Sequence, residues 1–238
     1  PIFLNESGGK ITSTDSGSKI FLYHGSDITN QGEITVGAIY VSDGANPGSG
    51  LFYNTNQLTT SSDSYIGYNS NGDGGKFEND GTFTSNGVLT IYNSGEFQND
   101  ETLNANDKLT IQSGGVMENN GTCTSNGDLT IADSGEFQND GTFTSNEDLT
   151  IYNGKFQNNG TLNANDKLSI QSGGVMENDG TLTKGSSETL NVYDGEYRSG
   201  GTSTLNLNNP TGIEMYNASA KAELDGTVTG TQSTWNNK

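Results

Sequence analysis

The 238-residue chain carries 29 acidic side chains against 10 basic ones, a net charge of −19, and only 29% of its residues are apolar. That charge excludes partners that present rows of phosphates, so neither nucleic acid nor an anionic membrane surface is an expected ligand. No segment approaches the roughly 20 apolar residues of a membrane span, so membrane insertion is not expected either. Low apolar content with high net charge would by itself indicate disorder. Here, however, Gly, Asn, Ser and Thr supply most of the polarity, and the apolar residues fall at fixed intervals.

Residues 1–76 read as irregular coils with insertions. They open on the apolar, strand-like Pro1-Ile2-Phe3-Leu4. Ile11 with Ile20/Leu22 marks one coil, Ile28 and Ile34 with Ile39/Val41 a second, and Phe52 and Leu58 with Ile66/Tyr68 a third. Residues 77–200 are regular. A bulky residue opens each unit at Phe77, Phe97, Met117, Phe137, Phe156, Met176 and Tyr197, in steps of 20, 20, 20, 19, 20 and 21. Six residues on runs a second column, Phe83, Leu103, Cys123, Phe143, Leu162 and Leu182. A doubled third column runs Leu89/Ile91, Leu109/Ile111, Leu129/Ile131, Leu149/Ile151, Leu168/Ile170 and Leu190/Val192. Residues 201–238 supply C-terminal coils and close on the strand-like Val228 to Trp235, which carries the only tryptophan.

Asn-Asp-Gly, Ser-Asn-Gly and Ser-Gly-Gly separate the columns, and these are turn compositions. Each unit is therefore three short strands of alternating pattern. Twenty residues are too few for a propeller blade, and no apolar set recurs at helical spacing. The remaining solution is an all-β, single parallel β-solenoid of about eleven coils. At a strand spacing of about 4.8 Å it forms one domain over residues 1–238, a rod roughly 50 Å long. Residues 102–122 and 161–181 differ only at Thr110 against Ser169 and at Asn120 against Asp179, which makes a three-coil super-repeat.

The polar columns repeat as well. Asn79, Asn99, Asn119, Asn139, Asn158 and Asn178 stand two after each opening residue, where stacked amides hydrogen-bond from coil to coil. Amides are interleaved with acids in Glu78, Gln98, Glu118, Gln138, Gln157, Glu177, and again in Asp80, Asp100, Asn120, Asp140, Asn159, Asp179. The interleaved amides dilute like-charge repulsion between coils. The remaining acids offer the oxygen ligands that suit Ca²⁺. No Gly-Gly-x-Gly-x-Asp nonapeptide appears, and no cofactor is expected.

Thr-x-Thr recurs at Thr82/Thr84, Thr122/Thr124, Thr142/Thr144, Thr181/Thr183, Thr202/Thr204 and Thr227/Thr229, with Thr102/Asn104 and Thr161/Asn163 as interruptions. Both threonines of a pair face outward. Such an array resembles the ice-binding face of β-solenoid antifreeze proteins. Catalysis finds little purchase. Cys123 occupies an inward apolar column, and His24, the one histidine, has no recognisable nucleophile partner.

The "GGVMENNGTCTSNGDLTI" style of unit, over about residues 77 to 200, is similar to the repeats of filamentous-haemagglutinin-type and autotransporter passenger proteins. That resemblance implies a right-handed β-helix, secretion, and a rod at the cell surface that displays or holds something. The stretch "AIYVSDGANPGSGLFYN", residues 38–54, also resembles segments of viral tail fibres. The reading is an extracellular structural protein, an adhesin shaft or a subunit of a surface fibre, with no enzymatic role. Its partners are copies of itself and a surface receptor or glycan. Ile2, Phe3, Leu4 and Trp235 are the expected junction of a head-to-tail homopolymer. An ice-binding solenoid and a viral or phage attachment fibre on the virion surface are the alternatives.

Overall fold

The computed structural model describes residues 2–23, 25–42, 50–67, 74–185, 189–207, 212–230 and 235–237, with 230 and 235–237 described through their backbone. Three strands make a coil: β1 (Ile2–Asn5), β2 (Lys10–Thr12) and β3 (Lys19–Leu22) make the first. Each strand pairs, in parallel, with the strand three further along the chain. The result is three parallel sheets of eleven strands each among the described residues. No helix occurs among those residues.

The register follows from where the large apolar side chains fall. Glu136–Asn139 alternates exposed and buried positions, so Phe137 and Asn139 point into the coil. Phe137 lies opposite Met117 on one side and Phe156 on the other. In the second sheet Leu103, Cys123 and Phe143 stack in the same way. In the third, Leu109/Ile111 lie under Leu129/Ile131. All of these are buried, and they form one continuous core that runs the length of the solenoid. Coils one strand spacing apart bring the rings of successive phenylalanines face to face. Phe52, Phe77 and Phe97 stack with centroids 5.0 Å apart and planes within 8°.

Two expected registers are corrected. The doubled position of the third coil holds Ser64 and Ile66, which lie opposite Leu89 and Ile91, and not Ile66 and Tyr68. Tyr68 lies outside the described residues. A serine in an apolar column gave no sequence signal, and the neighbouring Tyr68 mimicked the two-residue alternation. Ser64 Oγ accepts the Ile39 amide at 3.2 Å, which satisfies the buried hydroxyl. Similarly, Thr202 precedes its strand. The strand starts at Thr204, so the pair in register with Thr181/Thr183 is Thr204/Asn206.

The corner between third and first sheets is built from left-handed residues. Asn93-Ser94, Ser113-Gly114, Asp133-Ser134 and Ser172-Gly173 each have positive φ at both positions. At the corner between first and second sheets a glycine column lets coils approach closely. A Cβ on Gly141 would run into the carbonyl oxygen of Gly121 in the preceding coil.

Candidate functional site

The asparagine column forms a buried ladder. Asn79 Nδ2 donates to Asn99 Oδ1, and Asn99, Asn119, Asn139 and Asn158 continue in the same sense to Asn178, each bond 2.7 Å long. The second amide hydrogen is directed at backbone: Asn119 Nδ2 lies 3.1 Å from the Thr142 carbonyl and 3.2 Å from that of Gly121. Sequence reasoning missed the lower half of this ladder, where Asn5, Asn30 and Asn54 carry it on to Asn79 at 2.7–2.8 Å. The signal was there, because Asn30 and Asn54 stand two after Ile28 and Phe52. A second, exposed ladder was also missed. Asn106, Asn126, Asn146 and Asn165 each donate to the preceding coil's amide, down to Asn86, at 2.7–2.8 Å.

The acid–amide columns do more than dilute charge. Asp100 accepts Gln98 Nε2 at 2.8 Å within its own coil and Asn120 Nδ2 at 2.7 Å from the next. Asp140 is held in the same way by Gln138 and Asn159. Tyr53 donates to Asp80 at 2.5 Å, and that bond raises the pKa of its phenol. Further along, Glu177 lies 2.9 Å from Lys155 and 3.0 Å from Arg198, and Arg198 reaches Glu196 at 2.6 Å. The hydrogen bond from Lys155, helped by Arg198, holds the Glu177 carboxyl below the usual carboxylate range. Among the described residues no three His, Cys, Asp or Glu side chains converge on a point where a cation would sit.

The outward face of the second sheet carries two columns. The first reads Thr82, Thr102, Thr122, Thr142, Thr161, Thr181, Thr204 and Thr227 without a break. The expected interruptions therefore fall on the second column alone. That column reads Thr84, Asn104, Thr124, Thr144, Asn163, Thr183, Asn206 and Thr229. Two of its three asparagines are tied to the preceding coil, Asn163 to Thr144 Oγ1 at 3.4 Å and Asn206 to Thr183 Oγ1 at 3.3 Å.

At the N-terminal edge Ile2, Phe3 and Leu4 are 81%, 49% and 47% exposed. Phe3 is an inward residue, opposite Ile28. Its exposure comes from lying at the edge. Trp235 pairs through its backbone with Ile213 in the third sheet. A short aromatic strip on that sheet went unread in the sequence. Phe21, Tyr40 and Tyr65 follow one another at 4.8 and 5.1 Å, and the Lys19 ammonium lies 4.9 Å from the Tyr40 ring centroid. Cys123 is fully buried, which pushes its thiol pKa far up and leaves it without thiolate character. His24 lies outside the described residues.

No curated protein and no solved structure matches the chain. A family model does, the haemagglutinin repeat, over residues 5–151 and 148–191. Those residues are the stacked coils whose ladders and core have just been described, and they make up most of the chain, so it belongs to the haemagglutinin repeat family.

Proposed function

We propose that this chain is an extracellular structural rod, the shaft of a surface adhesin or a subunit of a surface fibre, and that it stacks head to tail. The solenoid and the haemagglutinin repeat support the adhesin-like part of that reading. One observation supports the rest: the same pairings and ladder contacts recur in coil after coil, so a coil of one copy offers a neighbouring copy the edge that it offers the next coil. Strands whose N–H and C=O groups lack partners are templates for pairing. A heterologous contact that does not close builds a filament. Ile2, Phe3, Leu4 and Trp235 form the junction between copies in this proposal. The solenoid over residues 1–238 acts as one domain with no catalytic role, and its side faces remain for a surface receptor or glycan.

Sedimentation and electron microscopy of the concentrated chain test the stacking. Phe3→Asp or Trp235→Asp leaves folded, soluble monomers where the parent forms fibres. A parent that stays monomeric at high concentration removes the stacking. The rod reading has its own test. A negative-stain image without rods roughly 50 Å long, as expected for about eleven coils at strand spacing, overturns it.

A further inference from the structure

The threonine face lies outside the junction proposed for stacking. Its inward neighbours, from Phe83 to Leu205, are buried in the core and anchor its first seven rows. The outward hydroxyls of the first column, from Thr82 to Thr227, make no hydrogen bond among the described residues and are left to solvent. Threonine has few χ1 rotamers on a strand, so ordering these groups on a ligand loses little entropy.

What the face lacks narrows the partner. None of its sixteen positions, Thr82/Thr84 through Thr227/Thr229, is charged, in a chain whose net charge is −19. Charge enters the first column at Lys10 and Glu33, which pair with each other at 2.9 Å, and from Thr82 to Thr229 a charged polymer has nothing to pair with. No aromatic or arginine stands among the sixteen, and protein interfaces concentrate their binding energy in those residue types while threonine is under-represented. The described grooves around Lys76, Glu96, Gln98 and Glu118 lie on the first sheet. A small soluble ligand would meet eight rows, five Thr–Thr and three Thr–Asn, and none of them lines the described grooves. A ligand that repeats in two dimensions gains from every row.

Water's own crystal repeats in that way. In a tetrahedral network with O···O about 2.75 Å, next-nearest oxygens lie about 4.5 Å apart and the stacking repeat is about 7.3 Å. The hydroxyls of the face repeat at about 4.8 Å between coils and about 6.6 Å along a strand. The difference of about 0.3 Å per coil is smaller than the spread of about 0.5 Å in O–H···O lengths, whereas the difference of about 0.7 Å along a strand exceeds it, so the match runs along a column, in patches of two or three coils, and not across from the first column to the second. We infer that the second-sheet threonine face is an ice-binding surface, centred on the column from Thr82 to Thr227.

The test uses the full chain in growing ice, with thermal hysteresis and ice-affinity partition as readouts. The wild type is expected to enter the ice fraction and to facet crystals. Thr142→Tyr is expected to lose hysteresis by about tenfold or more, because its ring holds adjacent rows off the lattice by more than a hydrogen-bond length. Thr122→Lys is the second variant, and the fold tolerates it because Lys10 already stands in that column. Gln138→Tyr, on the first sheet, keeps wild-type behaviour. Circular dichroism confirms that each variant folds. A wild type excluded from ice overturns the assignment, as does a folded Thr142→Tyr or Thr122→Lys with wild-type hysteresis. Two other results also overturn it. One is co-sedimentation with powdered cellulose or chitin by protein that ice excludes. The other is a dimer that Thr142→Tyr dissociates, which gives the face to a second copy.

Discussion

Replacing Asn119 by aspartate changes one NH₂ group into an oxygen and almost nothing else. In the native ladder that nitrogen faces three oxygens: Asn139 Oδ1 at 2.7 Å, the Thr142 carbonyl at 3.1 Å and the Gly121 carbonyl at 3.2 Å. Asn119 is wholly buried. An ionised carboxylate there meets acceptors where it needs donors, and its one remaining donor is Asn99 Nδ2. Burial of this kind raises a carboxyl pKa by about 3 to 5 units from the unfolded value of about 3.9. The sign follows from proton counting. Between the unfolded and the raised folded pKa the native state binds more protons than the unfolded state, so stability falls as pH rises. Below about pH 3.9 both states are protonated, and the O–H replaces one donor toward Asn139, leaving a residual loss of about 1–2 kcal/mol. Above the folded pKa a further loss of about 4 kcal/mol or more is present, from three units or more at 1.36 kcal/mol each. Asn119→Ala is the control, with a loss of about 2–4 kcal/mol from lost and orphaned hydrogen bonds and no pH dependence of its own. Urea unfolding of parent and both variants between about pH 4 and pH 8 measures this, with hydrogen exchange locating the first coil to open. Parallel pH curves for Asn119→Asp and the parent would refute the closed, dry ladder.

The core gives a simpler expectation. Phe137 packs against Phe143 and Phe156 at 5.0 and 4.9 Å, and Phe137→Ala is expected to cost about 3–5 kcal/mol in thermal or urea unfolding, with damage starting in its own coil. Cys123 is expected to react with a thiol reagent over hours when native and within seconds when unfolded, and stoichiometric labelling of folded protein within seconds would place it at the surface. Ser134 is left-handed with φ 65°, where the equivalent position elsewhere is Gly114 or Gly173. Ser134→Gly is therefore expected to stabilise by about 0.5–1 kcal/mol, read as a rise in melting temperature.

The sequence showed most of the fold because in a solenoid the same physical requirement is posed once per coil. Phe77, Phe97 and Phe137 could be aligned by counting, and the side-chain period of two then assigned inward and outward faces. Counting failed where one coil met the requirement differently. Ser64 fills an apolar slot because its hydroxyl has a backbone partner, and no periodicity reveals a hydrogen bond. Thr202 was misassigned because the residues around Gly200 and Gly201 shift the start of the strand, so Thr204 takes the column. The uninterrupted threonine column was obscured by reading Thr-x-Thr as a unit. Once Thr102 and Thr161 are taken by column and not by pair, the eight rows line up.

The two near-identical segments show why a repeat tolerates some differences and not others. Position 120 stacks between Asp100 and Asp140, whereas position 179 stacks between Asn159 and Gly200. Asp80 already stacks on Asp100, so an aspartate at 120 would put four carboxylates in a row with Asp140, each neighbouring pair repelling by about 0.9 kcal/mol even in water at about 4.8 Å. Asn120 instead separates the two acids and donates to Asp100 at 2.7 Å. Asp179 has an amide on one side and a glycine on the other, so an acid there meets no like charge within its column. The second difference, Thr110 against Ser169, falls on the outward column of the third sheet, where Ser169 is buried and Thr110 is only half-buried. The smaller side chain stands in the more enclosed place. Each copy of the segment therefore repeats what its neighbours share and differs where its neighbours differ. A chain can write one coil many times only if the exceptions are set by the coil on either side.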